Sequence, residues 1–352
     1  MFINKLRILN FRNILDKDFK FENKVNIFYG ENGVGKTSIL EAINYISSGK
    51  SFRKGNYKDF INYKSNEFTI YLGYNKDDLE NSISVRKDKK GQWKAKKNNT
   101  NISQQSTLTE SLPVISIDPE VYRLVDSSPQ YRRSFIDWLV FHVKHDYLLL
   151  WKKTHKCIKQ LNTLYKLRGN TNEINTWEQI LVSCTEKLNQ VRNHYFLQIS
   201  PIITSIVREI SPDLDGIVLS YKRGWTEGFS FIQQLENDRE KNLKYGQLLN
   251  GPHKMDIKIT INHTDASKVL SRGQKKMLSI VFYLAYLKVL EVNQIFPILC
   301  LDDFDAEIDE YKLKTTSEYF KSYQSQIFIT SVHKEKIVKA FPNADLFHVK
   351  HS

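Results

Sequence analysis

The sequence predicts an α/β protein with mixed sheets, into which a compact helical segment is inserted. Three observations carry that prediction. Strand-like and helical runs alternate over residues 1–117 and again over 217–352, whereas 118–216 read as helices alone. The apolar run Val25-Asn26-Ile27-Phe28-Tyr29 leads into a glycine-rich turn and then the helical run Ile39-Leu40-Glu41-Ala42-Ile43. A second apolar run, Ile298-Leu299-Cys300-Leu301, follows Pro297 and ends in Asp302 and Asp303, which suits a buried parallel strand delivering acids at its C-terminal end.

The glycine-rich turn is Gly30-Glu31-Asn32-Gly33-Val34-Gly35-Lys36-Thr37-Ser38. Small residues let the backbone wrap round phosphates with its N–H groups pointing inward, at the positive end of the following helix. All nine residues are therefore expected to bind ATP, with Lys36 reaching the phosphates and Thr37 holding Mg²⁺. Asp302 is placed to bind the Mg²⁺ through water beside Thr37, and Asp303 to orient or deprotonate the attacking water. Ser271-Arg272-Gly273-Gln274, before the apolar-periodic run that starts at Met277, reads as another phosphate-facing helix N-terminus. One ATP cannot easily need two such loops from one chain. Ser271, Gly273 and Gln274 are therefore expected to close on the γ-phosphate held by Lys36 of a second copy, in a head-to-tail, ATP-dependent homodimer.

In chain order, Met1 to Arg7 alternates like a strand and lacks the features of a signal peptide. Phe68–Leu72 and Ser82–Val85 read as strands, and residues 86–97 as a hairpin with a basic tip. The tip is either a phosphate contact for DNA or simply solvated. Residues 98–106 form a polar stretch read as a loop. In the arm, Ser128-Pro129 starts one helix, with Phe135, Trp138, Leu139 and His142 on one face. Thr176-Trp177-Glu178-Gln179 reads as a capping box opening a second helix, and Ser200-Pro201 opens a third that Ser211-Pro212 ends. No sustained heptads run through the arm. Lys152, Lys153, Lys156 and Lys159 are either a second DNA contact or ordinary exposed helix formers.

The chain has 352 residues, 41% of them hydrophobic, with a formal net charge of +13 and a pI near 9.3. Such a balance fits a polyanion partner, though a lysine-rich proteome produces it too. Cys157, Cys184 and Cys300 are odd in number and scattered, which points to neither a disulfide framework nor a zinc site. No apolar run approaches the roughly 20 residues that cross a bilayer, so no membrane partner and a cytoplasmic location are expected. His333 follows the strand Gln326–Thr330 with Ser331 and Val332 between, and reads either as a γ-phosphate sensor or as a surface histidine. Arg132 and Arg133 fit a hinge or an internal salt bridge.

Phosphate loop, Ser-x-Gly-Gln turn and acid-ended strand, in that order with a long insert, resemble the ABC-type ATPase head of transporters, SMC proteins and DNA-repair ATPases. Further segments resemble the RecF family: Leu6-Arg7-Ile8-Leu9-Asn10-Phe11-Arg12-Asn13, Ser51-Phe52-Arg53, Ile117-Asp118-Pro119-Glu120, Arg132-Arg133-Ser134-Phe135-Ile136-Asp137 and Gly251-Pro252-His253. The resemblance implies a P-loop head with an inserted arm, and Arg12 near the nucleotide. It also implies Ala306-Glu307-Ile308-Asp309 at a subunit interface, DNA as partner at single-strand/double-strand junctions, and a pathway with RecR, RecO and RecA. Two departures stand out: Lys254-Met255-Asp256 replaces the usual Arg-Asp-Asp, and Asp303 stands where most ABC heads have glutamate. The shorter acid implies slow hydrolysis, so a weak DNA-dependent ATPase. A transporter subunit would share the three loops but not the arm segments, and a non-catalytic DNA scaffold is the remaining alternative.

Overall fold

In the computed structural model, which describes residues 1–53 and 55–350, the opening alternation becomes β1 (Phe2–Phe11), with Ile3, Leu6, Ile8 and Phe11 turned into the core. There follow β2 (Ile14–Lys20), β3 (Val25–Tyr29), α1 (Lys36–Ser48), β4 (Glu67–Lys76), β5 (Leu79–Asp88), β6 (Trp93–Lys97), β7 (Thr100–Ile102), α2 (Gln105–Ser111) and β8 (Val114–Ile117). Next come α3 (Arg123–Asp126), α4 (Pro129–Val143), α5 (Tyr147–Leu167), α6 (Thr171–Ile210), β9 (Ile217–Lys222), α7 (Phe231–Tyr245), β10 (Asp256–Ile261), β11 (Thr264–Asp265), α8 (Ala266–Val269) and α9 (Arg272–Val292). The chain ends through β12 (Ile298–Leu301), α10 (Glu310–Ser322), β13 (Ile327–Ser331), α11 (Lys334–Ala340) and β14 (Asp345–His348).

Contacts divide the chain into two units, Met1–Val121 with the segment from Gln294 onward, and Tyr122–Asn293. The first holds an antiparallel sheet in the order β2-β1-β4-β5-β6-β7 and a parallel sheet in the order β14-β3-β13-β12-β8. Helix α1 packs between them in one core with Ile39, Leu40, Ile43 and Ile46. The three inner parallel strands, β3, β13 and β12, are buried along nearly their whole length, which is why they read as continuous apolar runs. Hairpin turns use residues that tolerate positive φ: Asp77-Asp78 between β4 and β5, and Asn98-Asn99 between β6 and β7.

The second unit joins helices α3 to α9 to the small sheet β11-β10-β9. The sequence reading drew a boundary at 217; here 217–293 cluster with the helices, because β9 pairs only with β10 and α9 packs along α6. The two helices expected from Thr176 and Ser200 are one continuous helix, α6, capped by Asn170, whose side chain accepts from the Asn172 N–H. Thr176 bonds back to the Asn172 carbonyl and does not cap. Pro201 leaves the helix unbroken: it is exposed, and so is Leu197, whose carbonyl loses its intrahelical donor on the solvent side. The stretch 98–106, read as a loop, includes β7 and the start of α2.

A buried polar cluster ties α4, α5 and α6 together. Asp137 accepts from Arg192 Nε and Nη2 at 2.7 and 2.8 Å, from Trp151 Nε1 at 3.0 Å, and from the Tyr147 hydroxyl. Arg192 Nη1 donates to the Pro252 carbonyl at 2.8 Å. Burial alone would lower the Arg192 guanidinium, but the Asp137 carboxylate reverses this and holds it above its ordinary value. Arg132 pairs with Asp256 through two hydrogen bonds, 2.7 and 3.1 Å, so an internal salt bridge is what this arginine makes. Arg133 donates to the Met255 carbonyl.

Candidate nucleotide site

Strand β13 lies between β3 and β12, in parallel with both, so the glycine turn after β3 and the acids after β12 emerge at the same sheet edge. Helix α1 begins there without a side-chain cap. Its N-cap is Gly35, at φ 106°, where only glycine is unstrained and where a Cβ would lie 3.0 Å from Asn13 Oδ1. Gly30, at φ 152°, is forced by close approach, because a Cβ would fall 2.4 Å from the Val349 carbonyl oxygen. The uncapped N–H groups of the first turn are left available to an anion.

The turn and Asp303 face a cavity of about 890 Å³, lined among others by Arg12, Asn32, Gly33, Gly35, Lys36, Thr37, Ser38 and Asp303, whereas Asp302 is buried and does not line it. Lys36 Nζ donates to the carbonyls of Gly30 and Glu31 at 2.9 and 2.8 Å, folded back on its own loop. Ser38 Oγ donates to Asn13 Oδ1, and Asn13 Nδ2 donates to the Gly33 carbonyl. Val34 is buried in the core. Asp302 is 5% exposed and accepts from the Thr330 hydroxyl at 2.7 Å, with the Thr37 hydroxyl nearby. Burial raises its carboxyl to about 6, with the Asp303 charge pushing the same way and the two hydroxyls and Arg53 opposing. Asp303 has φ 43°, and its Oδ1 is buried with no hydrogen-bond partner among the described residues. An oxygen left orphaned beside a polar cavity is the kind of group a metal-bound or attacking water satisfies.

Arg12, at φ 56°, lines the cavity with its guanidinium engaged. It donates to both Glu41 oxygens at 3.0 and 2.6 Å and to the Asp59 carbonyl, and it lies 4.7 Å over the Phe60 ring. Asn13, Arg53, Lys58, Asp59, Ile61, Tyr63 and Lys89 complete the wall and are not among the site residues the sequence points to. They come from loops that carry no motif, although Asn13 and Arg53 fall in family-like segments. Lys89, at the tip of the basic hairpin, turns out to line this cavity.

Ser271, Gly273 and Gln274 do not line it. They open α9 in the second unit as a reciprocal capping box, in which Ser271 Oγ accepts from the Gln274 N–H and Gln274 Oε1 from the Ser271 N–H. Gln274 Nε2 also donates to Asp213 Oδ2 at 3.0 Å. In the segment after the acids, Asp309 caps α10 and Ile308 is buried. His333 is exposed, at the N-cap of α11, with its N–H on Ser331 Oγ. His253 Nε2 bonds the Leu248 carbonyl, fixing its own loop. No group of metal-ligating His, Cys, Asp and Glu occurs among the described residues, and no helix among them is long and apolar enough to cross a membrane.

A phosphate-type turn, an acid-ended neighbouring strand and a Ser-x-Gly-Gln helix start on this αβ scaffold define an ABC-type ATPase head. Residues 2–352 match the model of the RecF/RecN/SMC N terminal domain, and the chain belongs to that family. It is similar to the DNA replication and repair protein RecF of Cellvibrio japonicus, 33% identical with 100% of this chain and 98% of that protein covered. RecF of Francisella tularensis is 35% identical, with 96% of each chain covered. Among solved structures, the recombination mediator protein RecF with ATP superposes with a TM-score of 0.85 at 24% identity, over 94% of this chain and 92% of that one. An Smc head domain from Pyrococcus furiosus reaches 0.59 at 16% identity, over 99% and 94%. These last two likenesses speak to the fold.

Proposed function

We propose that this protein is an ATP-dependent DNA clamp of the RecF type, acting in DNA replication and gap repair in the cytoplasm. The observation that carries the reading is the convergence of Lys36, Thr37 and Asp303 on one polar cavity beside an uncapped helix start, with the buried Asp302 next to Asp303 in the chain. Residues Gly30 to Ser38 would hold the phosphates, Lys36 exchanging its two backbone carbonyls for phosphate oxygens. Thr37 and Asp302 would hold Mg²⁺, which supplies charge neutralisation at the phosphates. Asp303 would take the proton of the attacking water. Arg12 would stand beside the nucleotide, braced by Glu41. The capping-box turn at Ser271 to Gln274 would close on the γ-phosphate of a second copy, giving a head-to-tail dimer favoured by ATP. Duplex DNA at single-strand/double-strand junctions would prefer that closed dimer, and slow hydrolysis would reopen it. The named relatives and the +13 charge support DNA as the partner, and the family resemblance supports RecR, with RecO and RecA further along the pathway.

By linkage, a ligand that prefers the dimer makes the ATP-loaded protein bind it better. The test is sedimentation with and without ATP and Mg²⁺, repeated with a gapped duplex and with Lys36→Met. The expected result is a nucleotide-dependent dimer, strengthened by DNA and lost in the variant. A monomer in every condition would overturn the clamp. Asp303→Asn should keep ATP-dependent dimerisation and lose release from DNA, whereas a scaffold indifferent to hydrolysis would behave as the wild type.

A further inference from the structure

Thr330 stands at the end of β13, directly between the strand that carries the phosphate turn and the strand that carries the acids. Leu301 of β12 pairs with Ile329 of β13, so the next residues along, Asp302 and Thr330, lie abreast. Thr330 is fully buried, and its hydroxyl works in both directions. Oγ1 donates to Asp302 Oδ1 at 2.7 Å and accepts from the backbone N–H of Asp303 at 2.8 Å. A hydroxyl has one hydrogen to give and lone pairs to receive, so one atom does what neither a carboxylate nor an ammonium at this position could do. The N–H it accepts belongs to a residue at φ 43°, a left-handed conformation that a non-glycine residue keeps only when its surroundings hold it there. That conformation accompanies the exposure of the Asp303 carboxylate to the nucleotide cavity.

We propose that Thr330 is a positioning residue for ATP hydrolysis: its single hydroxyl orients the Asp302 carboxylate and pins the backbone turn that aims Asp303. The inference rests on reading those acids as the metal-holding and water-activating pair. Thr330 is fully buried and does not line the cavity, so its removal acts through both acids together, whereas the phosphate turn itself is left intact. Partners one step behind a metal ligand typically alter metal affinity or activity by about 10–100-fold.

The experiment compares Thr330→Ser, Thr330→Ala and Thr330→Val in the full chain. Serine and alanine both lose the methyl group and differ in the hydroxyl, which separates its role from packing; valine keeps the shape and removes the hydroxyl. Two readouts are followed: ATP affinity as a function of Mg²⁺ concentration, and steady-state hydrolysis with gapped duplex, resolved into kcat and KM. The expected result is about tenfold or more loss in kcat for alanine and valine, with the Mg²⁺ concentration for half-maximal ATP binding raised by a similar factor. Metal-free ATP binding should stay at the wild-type level, and serine should restore both readouts. Wild-type Mg²⁺ dependence and kcat in all three variants would overturn the inference, as would serine failing as badly as alanine. Absence of ATP binding by the wild type, matching Lys36→Met, would overturn the proposed function as well, so the two failures are distinguishable.

Discussion

Two largely buried aspartates, one in each unit, have opposite surroundings. Asp137 in the helical unit receives four donors, two from a buried guanidinium that its charge neutralises. Asp302 in the sheet unit receives the Thr330 hydroxyl and stands beside a second acid, and its carboxyl is raised to about 6. The first arrangement is complete within the protein. On the proposed function, the second is completed by a cation. A buried charge whose partners are all present serves as scaffold, and one whose partners are missing marks where a ligand belongs.

The largest effect is expected from Asp137→Asn, which strands Arg192 without its counter-charge and should cost about 3–5 kcal/mol in urea denaturation. A loss under about 1 kcal/mol would show that water or relaxation replaces the pair. Asp302→Asn should do the reverse. Because the folded-state pKa is raised from 3.8 to about 6, the folded protein holds a proton that the unfolded chain has released. Stability from this group is therefore present at low pH and lost as pH rises from about 4 to about 6. Removing the charge should stabilise the nucleotide-free protein above pH 6 by up to about 3 kcal/mol, fading towards pH 4, while Mg²⁺-dependent ATP binding disappears. Thermal melts across that range check the sign.

His253 sharpens the contrast on the helical side. Burial first, then the charge of Lys254, lowers its ring to about 4, while its Nδ1 has no hydrogen-bond partner among the described residues. The unfolded chain takes up a proton below about 6.5 and the folded protein does not, so stability should fall as pH drops from there to about 4. His253→Gln should flatten that fall by about 1–2 kcal/mol in melts followed over the same interval. Smallest of all, Glu67→Gln removes the exposed partner of Arg86 and should change stability by no more than about 0.5 kcal/mol by urea denaturation.

What could be read in the sequence was whatever is contiguous. The run from Gly30 to Ser38 and the pair Asp302-Asp303 each announce themselves within a few residues, because the chemistry needs neighbours in the chain. Thr330 and Glu41 reach the same place by strand pairing and helix packing, and nothing local in their segments says so. The arm shows the converse failure. Ser200-Pro201 and Thr176-Trp177-Glu178 are proper local start signals, but in α6 tertiary packing and a solvent-facing carbonyl override them. The placement of residues 217–293 with the helices depends on β9 pairing with β10 and on α9 lying along α6, again contacts between segments remote in sequence. Cys157 and Cys184, scattered in sequence, come within hydrogen-bonding reach across α5 and α6 for the same reason.

The strand that carries the phosphate turn, β3, is made early by the ribosome, yet its two neighbours in the sheet are β13 and β14, both made late. A nascent chain therefore exposes Val25 to Tyr29 without a hydrogen-bonded partner on either side until residues 327–348 have emerged. Nucleotide can reward folding only after that point. Chains cut short before Ile327 would leave an apolar strand unpaired and no finished loop, so an interrupted product should be recognised by chaperones or proteases before it can compete for ATP or DNA.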